Sequence, residues 1–262
     1  MVTDISPGPK VALVTGVSRR AGIGFAITRR LLADGFRVVI HSWSGGDGWV
    51  AGAAGPAELA AVIAELGGEG ERLAHLQADF SDPTAPRLVV DQAVARFGRL
   101  DAVVANHAAS LSGGLMDLTA EDLDHAWAVN ARASVLLAQA FAAAHDAATQ
   151  GPGRVVLFTS GQHLGPMSGE LAYAISKGAI QQMTASLADA LAGRSVTVNA
   201  VNPGPVDTGW PSEELRSRLT AAFPAGRWGR PDDIAPVVSW LLSADAGWVT
   251  GQVLNAEGGF RR

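Results

Sequence analysis

Seven short apolar runs recur along the chain, at 11–16 (VALVTG), 37–40, 72–77, 100–105, 154–160, 195–201 and 252–256. Several are apolar at nearly every position instead of alternating with polar residues. A strand of that kind must be covered on both faces, which is the condition of a buried strand in a parallel sheet. Between the runs lie alanine- and leucine-rich segments at helical spacing, including 22–34, 56–67, 84–97, 121–148 and 170–192. Strand alternating with helix implies right-handed crossovers. The pattern predicts an α/β fold: one doubly wound parallel sheet with helices on both faces, in a single domain over 1–262. The glycine-rich stretch 44–56 reads as a surface loop, because the rhythm resumes after it.

Composition limits the function classes. Nearly half of the residues are apolar (48%), enough for a sizeable core. Net charge is −5, which suggests no nucleic-acid surface. With no cysteine, disulfides and thiolate metal sites are excluded. No two of the six histidines have metal-ligand spacing, so no catalytic metal is expected. The first ten residues hold no apolar signal core, and no apolar run approaches the ~20 residues that span a bilayer. The expectation is a soluble cytoplasmic protein with neither membrane nor nucleic acid as partner.

In a doubly wound sheet, ligands bind beyond the carboxyl ends of the strands. The stretch TGVSRRAGIG (15–24) sits there, after the first strand and before a helical pattern. Gly22 and Gly24 let backbone approach a pyrophosphate, and the helix N-terminus behind them supplies amides and positive dipole. The plain alternative is a tight strand-to-helix turn with no ligand.

A second constellation is sharper. The chain has one tyrosine and two lysines, yet Tyr173 and Lys177 stand four residues apart on one helix face. A phenol has a pKa near ~10 and shuttles protons poorly at neutral pH unless a cation favours the phenolate. Ser160 ends a strand thirteen residues before the tyrosine. Its hydroxyl could hold a carbonyl oxygen while Tyr173 protonates it.

With these features the chain resembles the short-chain dehydrogenase/reductases over nearly its whole length, and within them the subgroup labelled 3-oxoacyl-[acyl-carrier-protein] reductase. The resemblance rests on the glycine loop, ADF at 78–80, LDAVVANHA at 100–108, Asn130, Ser160, Tyr173, Lys177, NPGPVDT at 202–208 and the tail from 229. It implies a Rossmann fold and hydride transfer between nicotinamide and a ketone or secondary alcohol. Tyr173 would be general acid or base. Lys177 would lower its pKa and hold the nicotinamide ribose, Ser160 would polarise the carbonyl, and Asn130 would help hold a water. The implied cofactor set is Gly16, Ser18, Arg19, Gly22, Ile23, Gly24, Ser42, Asp79, Phe80, Asn106, Pro203, Gly204 and Thr208. Substrate contacts are expected from Gln162, His163, Met167 and Trp210, under a mobile lid near 207–224.

Three departures from the family pattern stand out. The family's N-N-A-G is Ala105-Asn106-His107-Ala108 here, so hydrogen bonds beside the cofactor must be made differently. His107 either faces substrate or stands in for an alanine. His163 either contacts substrate or is a solvated loop residue. Finally, five residues separate Gly16 from Gly22, two more than usual, and bring in Arg19 and Arg20. With no carboxylate at 41–44, the arginines read as a clamp for the extra phosphate of NADP(H), favoured over NAD(H). One of the pair, Arg20, is expected to point into solvent. A carrier-protein substrate is an alternative, and a cofactor-binding sensor without turnover is another. The alanine-rich helices at 121–148 and 170–192 suggest a homotetramer or homodimer.

Overall fold

The computed structural model describes residues 8–44 and 55–262, so the loop expected at 44–56 lies almost wholly outside the described residues. Seven strands form one parallel sheet: β1 (Val11–Thr15), β2 (Arg37–Ser42), β3 (Leu73–Gln77), β4 (Ala102–Ala105), β5 (Gly153–Phe158), β6 (Val196–Asn202) and β7 (Val253–Asn255). Their order is β3-β2-β1-β4-β5-β6-β7. The direction of winding reverses between β1 and β4, the point at whose carboxyl ends doubly wound sheets bind their ligands.

The continuous apolar runs have a direct cause. In β1, Val11 and Leu13 face one core cluster while Ala12 and Val14 face the other. The first cluster is closed by α3 (Ala85–Phe97), α5 (Ala133–Ala144) and α7 (Leu171–Ala192). The second is closed by α1 (Ile23–Ala33), α2 (Pro56–Glu65) and α9 (Pro231–Leu242). Among the described residues, no helix is long and apolar enough to cross a membrane.

The helix expected over 121–148 is broken. α4 (Ala120–Ala126) starts from a capping box between Thr119 and Asp122, then passes into a wide π-turn at Trp127–Arg132 before α5 begins. Extended backbone at His145 ends α5, and a single turn, α6 (Ala147–Gln150), follows. Between β6 and α9 lies α8 (Glu213–Thr220).

Candidate active site

The chain leaves β1 through Gly16, whose φ of 74° favours glycine. A Cβ on Gly24 would stand 2.7 Å from the Gly16 carbonyl oxygen and 2.8 Å from Asn106 Nδ2. The loop therefore folds tightly onto the end of β4. Asn106 Nδ2 supports it from below by donating to Thr15 O (3.0 Å) and Gly16 O (3.2 Å). Gly22 caps α1 without a side-chain hydrogen bond, so the first-turn amides have no capping partner and carry the positive end of the helix dipole. This bare cradle fits a dinucleotide pyrophosphate.

His107 is a core residue, only 7% exposed. Its Nε2 lies 2.9 Å from Val129 O, a pure acceptor, so Nε2 carries the proton and donates. Nδ1 then accepts from the Thr15 hydroxyl at 2.7 Å. The histidine staples β1 to the π-turn and does not face substrate. Its ring meets Phe80 edge-on (4.6 Å), while His41 stacks on the face of Phe80 (4.0 Å). His41 donates from Nε2 to Ala78 O (3.0 Å), and its buried Nδ1 has no partner among the described residues.

Burial holds both histidines neutral, His107 well below the ordinary value and His41 at about 4. Between pH 6.5 and 4 the folded state thus binds fewer protons than the unfolded chain, and stability falls as pH falls through that window. For His41 the loss is about 3 kcal/mol. We expect Tm to drop from pH 6.5 to 4.5, and to drop less steeply in His41→Leu. Equal slopes in the two proteins would contradict this.

The two loop arginines have different surroundings. Arg20 is exposed, as expected, and pairs at the surface with Glu58 in the first turn of α2. Its Nη2 meets Oε2 at 2.9 Å, and its Nε and backbone N–H both donate to Oε1 (3.2 and 2.9 Å). A carboxylate is favoured at that helix N-terminus and matches the forked guanidinium. Arg19 is half-buried, and its guanidinium has no hydrogen bond or ion pair to any described residue. Ser42 is 1% exposed, with its hydroxyl 2.8 Å from His75 Nε2, so it is turned into the sheet. The side chains that surface at this strand end are Trp43 and Ser44. Half-buried Asp79 accepts from Ser81 N (2.8 Å), and Phe80 is buried beside it. Ser18 in the loop and Ile23 at the start of α1 are half-buried.

On the other side of β4, Ser160 follows β5 in extended backbone and opens a short 3₁₀ turn, Gly161–His163. Tyr173 and Lys177 lie one turn apart on α7, with Lys177 Nζ 5.6 Å from the tyrosine ring centroid. Burial pushes the Tyr173 phenol up to about 12. A hydrogen bond from Ser160 opposes this, and the charge of Glu170 adds to it. Burial also pushes Lys177 down to about 7, and its Nζ donates to Phe158 O at 2.9 Å. Desolvation thus outweighs the relief of the phenol expected from the lysine.

Asn130 lies in the π-turn, 0% exposed. Its Oδ1 accepts from Ala109 N (2.7 Å), and Nδ2 donates to Ala109 O and Ser176 Oγ (both 2.9 Å). Ser176 Oγ in turn donates to Tyr173 O at 2.8 Å. Asn130 therefore clamps the β4 loop to the helix bearing Tyr173, and the π-turn brings it there.

Beyond β6, Gly204 (φ 63°) donates its N–H to Asn202 Oδ1 at 3.0 Å, between the half-buried Pro203 and Pro205. Thr208 is half-buried, and α8 is held to this segment by an Asp207–Arg216 ion pair. Of the expected substrate contacts, Gln162 turns towards α7, donating to Gln181 Oε1 (3.0 Å) and Thr159 Oγ1 (3.2 Å). His163 is exposed and Met167 half-buried. Trp210 is 52% exposed, donates to Val206 O (3.0 Å) and packs edge-on against Trp228. Glu58, Asn202, Glu257 and Arg262 also shape the site, although the sequence reading singled out none of them.

The chain compares closely with known proteins. A family model described as Enoyl-(Acyl carrier protein) reductase matches residues 16–261. An uncharacterized oxidoreductase of Bacillus subtilis, YjdA, is 39% identical, with 97% of each chain covered. An NADPH-dependent aldehyde reductase-like protein of Arabidopsis thaliana, named as chloroplastic, is 33% identical over 96% of this chain and 94% of its own. Among solved structures, a blue fluorescent protein from a metagenomic library in complex with NADPH superposes with a TM-score of 0.83 at 34% identity, covering 97% of this chain and 99% of that one. The likeness runs unbroken from the glycine loop to the tail beyond β7, which makes this chain an oxidoreductase of the short-chain dehydrogenase/reductase family.

Proposed function

We propose that the chain is an NADP(H)-dependent carbonyl reductase, interconverting a ketone and a secondary alcohol with Tyr173 as general acid and base. The observation that carries this reading is the convergence of Ser160, Tyr173 and Lys177 beside a bare glycine cradle at the reversal of the sheet. Gly16, Gly22, Gly24 and the first turn of α1 would hold the pyrophosphate, and the Pro203–Gly204 segment with Thr208 the nicotinamide end. When bound, the nicotinamide supplies or accepts the hydride. Ser160 donates a hydrogen bond to the carbonyl oxygen, and Tyr173 gives that oxygen its proton. Lys177 is placed to steady the phenolate that remains. Residues 207–224, carrying α8, act as a lid that excludes water.

The Arg19 guanidinium, which has no hydrogen bond or ion pair among the described residues, and the absence of a carboxylate at 41–44 support NADPH over NADH. So do the NADPH named for the Arabidopsis relative and the NADPH held by the metagenomic protein. The test is a panel of ketones and small thioesters assayed with both reduced cofactors. Reduction with NADPH preferred supports the reading, whereas tight NADPH binding with no turnover would favour a sensor.

The carrier-protein alternative has weaker support. Docking an acidic carrier at moderate salt takes several complementary exposed charges. Two basic residues near the start of the serine strand, His145 before it and Arg154 within it, are buried at 9% and 6% exposure. Arg154 donates to the carbonyls of Gly153 and Ser243, and the His145 ring packs against Leu100 O and Gly151 O. We therefore expect similar kcat/KM for a 3-oxoacyl group on a pantetheine analogue and on carrier protein. A large, salt-sensitive advantage for the carrier form would overturn this.

A further inference from the structure

Residues 257–262, beyond β7, form a strap that touches three walls of the site. Glu257 lies against Gly204, so that a Cβ on Gly204 would stand 3.0 Å from the Glu257 Cα. Its carboxylate also accepts from Asn202 Nδ2 at 3.1 Å. Phe260 packs on Phe223 (ring centroids 4.7 Å apart), and Arg261 N–H donates to Ala222 O (2.9 Å), at the far end of the lid segment. Arg262 then turns back over the turn that follows Ser160. A Cβ on Gly165 would come within 2.7 Å of Arg262 Cδ, and one on Gly161 would occupy the place of the guanidinium. Two glycines thus form the bed on which this side chain lies.

Arg262 is held in that place by a two-pronged pair with Glu257, Nη1 to Oε1 at 3.0 Å and Nη2 to Oε2 at 2.6 Å. The two side chains are 22% and 10% exposed, unlike the solvated pairs that contribute little. Burial works to raise the Glu257 carboxyl. The hydrogen bonds from Arg262 and Asn202, with the charge of Arg262 and nearby His163, outweigh it and keep the carboxyl below its ordinary value.

We infer that Arg262 is a positioning residue: anchored by Glu257, it fixes the Gly161–Gly165 turn, and with it the Ser160 hydroxyl, against the Gly204 segment. The inference rests on the proposed role of Ser160. Glycine leaves the turn after Ser160 conformationally soft, and a small misplacement of a reacting group is costly in rate. A bidentate arginine pair supplies the missing rigidity without placing a side chain in the turn itself.

The test compares Arg262→Ala, Arg262→Lys, Glu257→Gln and the Glu257→Gln/Arg262→Ala double variant. Two readouts are used: hydrogen exchange of peptides spanning 159–166, and kcat, KM and NADPH Kd on an accepted ketone. Arg262→Ala is expected to speed exchange in that segment and lower kcat about tenfold, with NADPH Kd within about twofold. The double variant should be no worse than Arg262→Ala, because the pair acts as a unit. Arg262→Lys should recover only part, since it keeps the charge and loses the fork. Unchanged exchange and kcat in Arg262→Ala, additive losses in the double variant, or a loss fully accounted for by weaker NADPH binding would each overturn the inference. Should no carbonyl substrate be turned over, the proposed function fails, while the exchange readout still decides whether Arg262 holds the turn.

Discussion

Tyr173→Phe is expected to lower turnover by at least ~10²-fold while NADPH still binds. The hydroxyl is the only group at this position able to pass a proton to the carbonyl oxygen and be restored. Ser160 remains in the variant, but its hydroxyl hydrogen-bonds the carbonyl oxygen and does not replace the acid. Burial pushes the phenol up to about 12, so Tyr173 is protonated throughout the neutral range and competent to donate. Asn130 and Ser176 reach this part of α7 through backbone and hydroxyl groups, not through the phenol, so the helix keeps its place in the variant. Steady-state turnover on any accepted ketone, with NADPH affinity from nicotinamide fluorescence, checks both halves. Near-normal turnover would remove Tyr173 from the mechanism.

The second large effect concerns cofactor choice. NADPH should bind more tightly than NADH, and Arg19→Ala should shrink that preference about tenfold or more, since one charge-assisted bond contributes roughly 1.5–3 kcal/mol. Arg20→Ala is an internal control. Arg20 is already committed to Glu58, so its loss should loosen the loop from α2 and weaken both cofactors alike. Fluorescence titration of both cofactors against the three proteins separates the roles. Equal affinity of the parent for NADH and NADPH would assign the two extra loop residues another purpose.

The five inner strands were legible because a strand buried on both faces declares itself within a few residues, and the edge strands β3 and β7, less buried, were found from their place in the strand–helix alternation. The break in the 121–148 helix was not, because its cause is distant in sequence. Asn130 is drawn to Ala109 and Ser176, which lie 21 and 46 residues away. The burial of Ser42 could have been read from strand parity, for it shares a face with Ile40 and Val38, both core residues. The exposure of Arg20 was legible, but its surface pair with Glu58 was not, because that partner lies 38 residues on, across the glycine-rich stretch. His107 resolved into a core residue only when Thr15 and Val129 were brought around it. The tail NAEGGFRR held a visible signal, an acid and an arginine five apart beyond the last strand. What it lacked was any local hint that the pair folds back onto Gly161 and Gly165.

Hydride transfer is read directly by following label from NADPH, deuterated at both nicotinamide C4 positions, to a ketone that the protein accepts. Deuterium is expected on the carbinol carbon of the alcohol, matching the NADPH consumed, with labelled alcohol forming at least ~10²-fold more slowly in Tyr173→Phe. Tight NADPH binding with no label reaching any carbonyl carbon across the panel would contradict it.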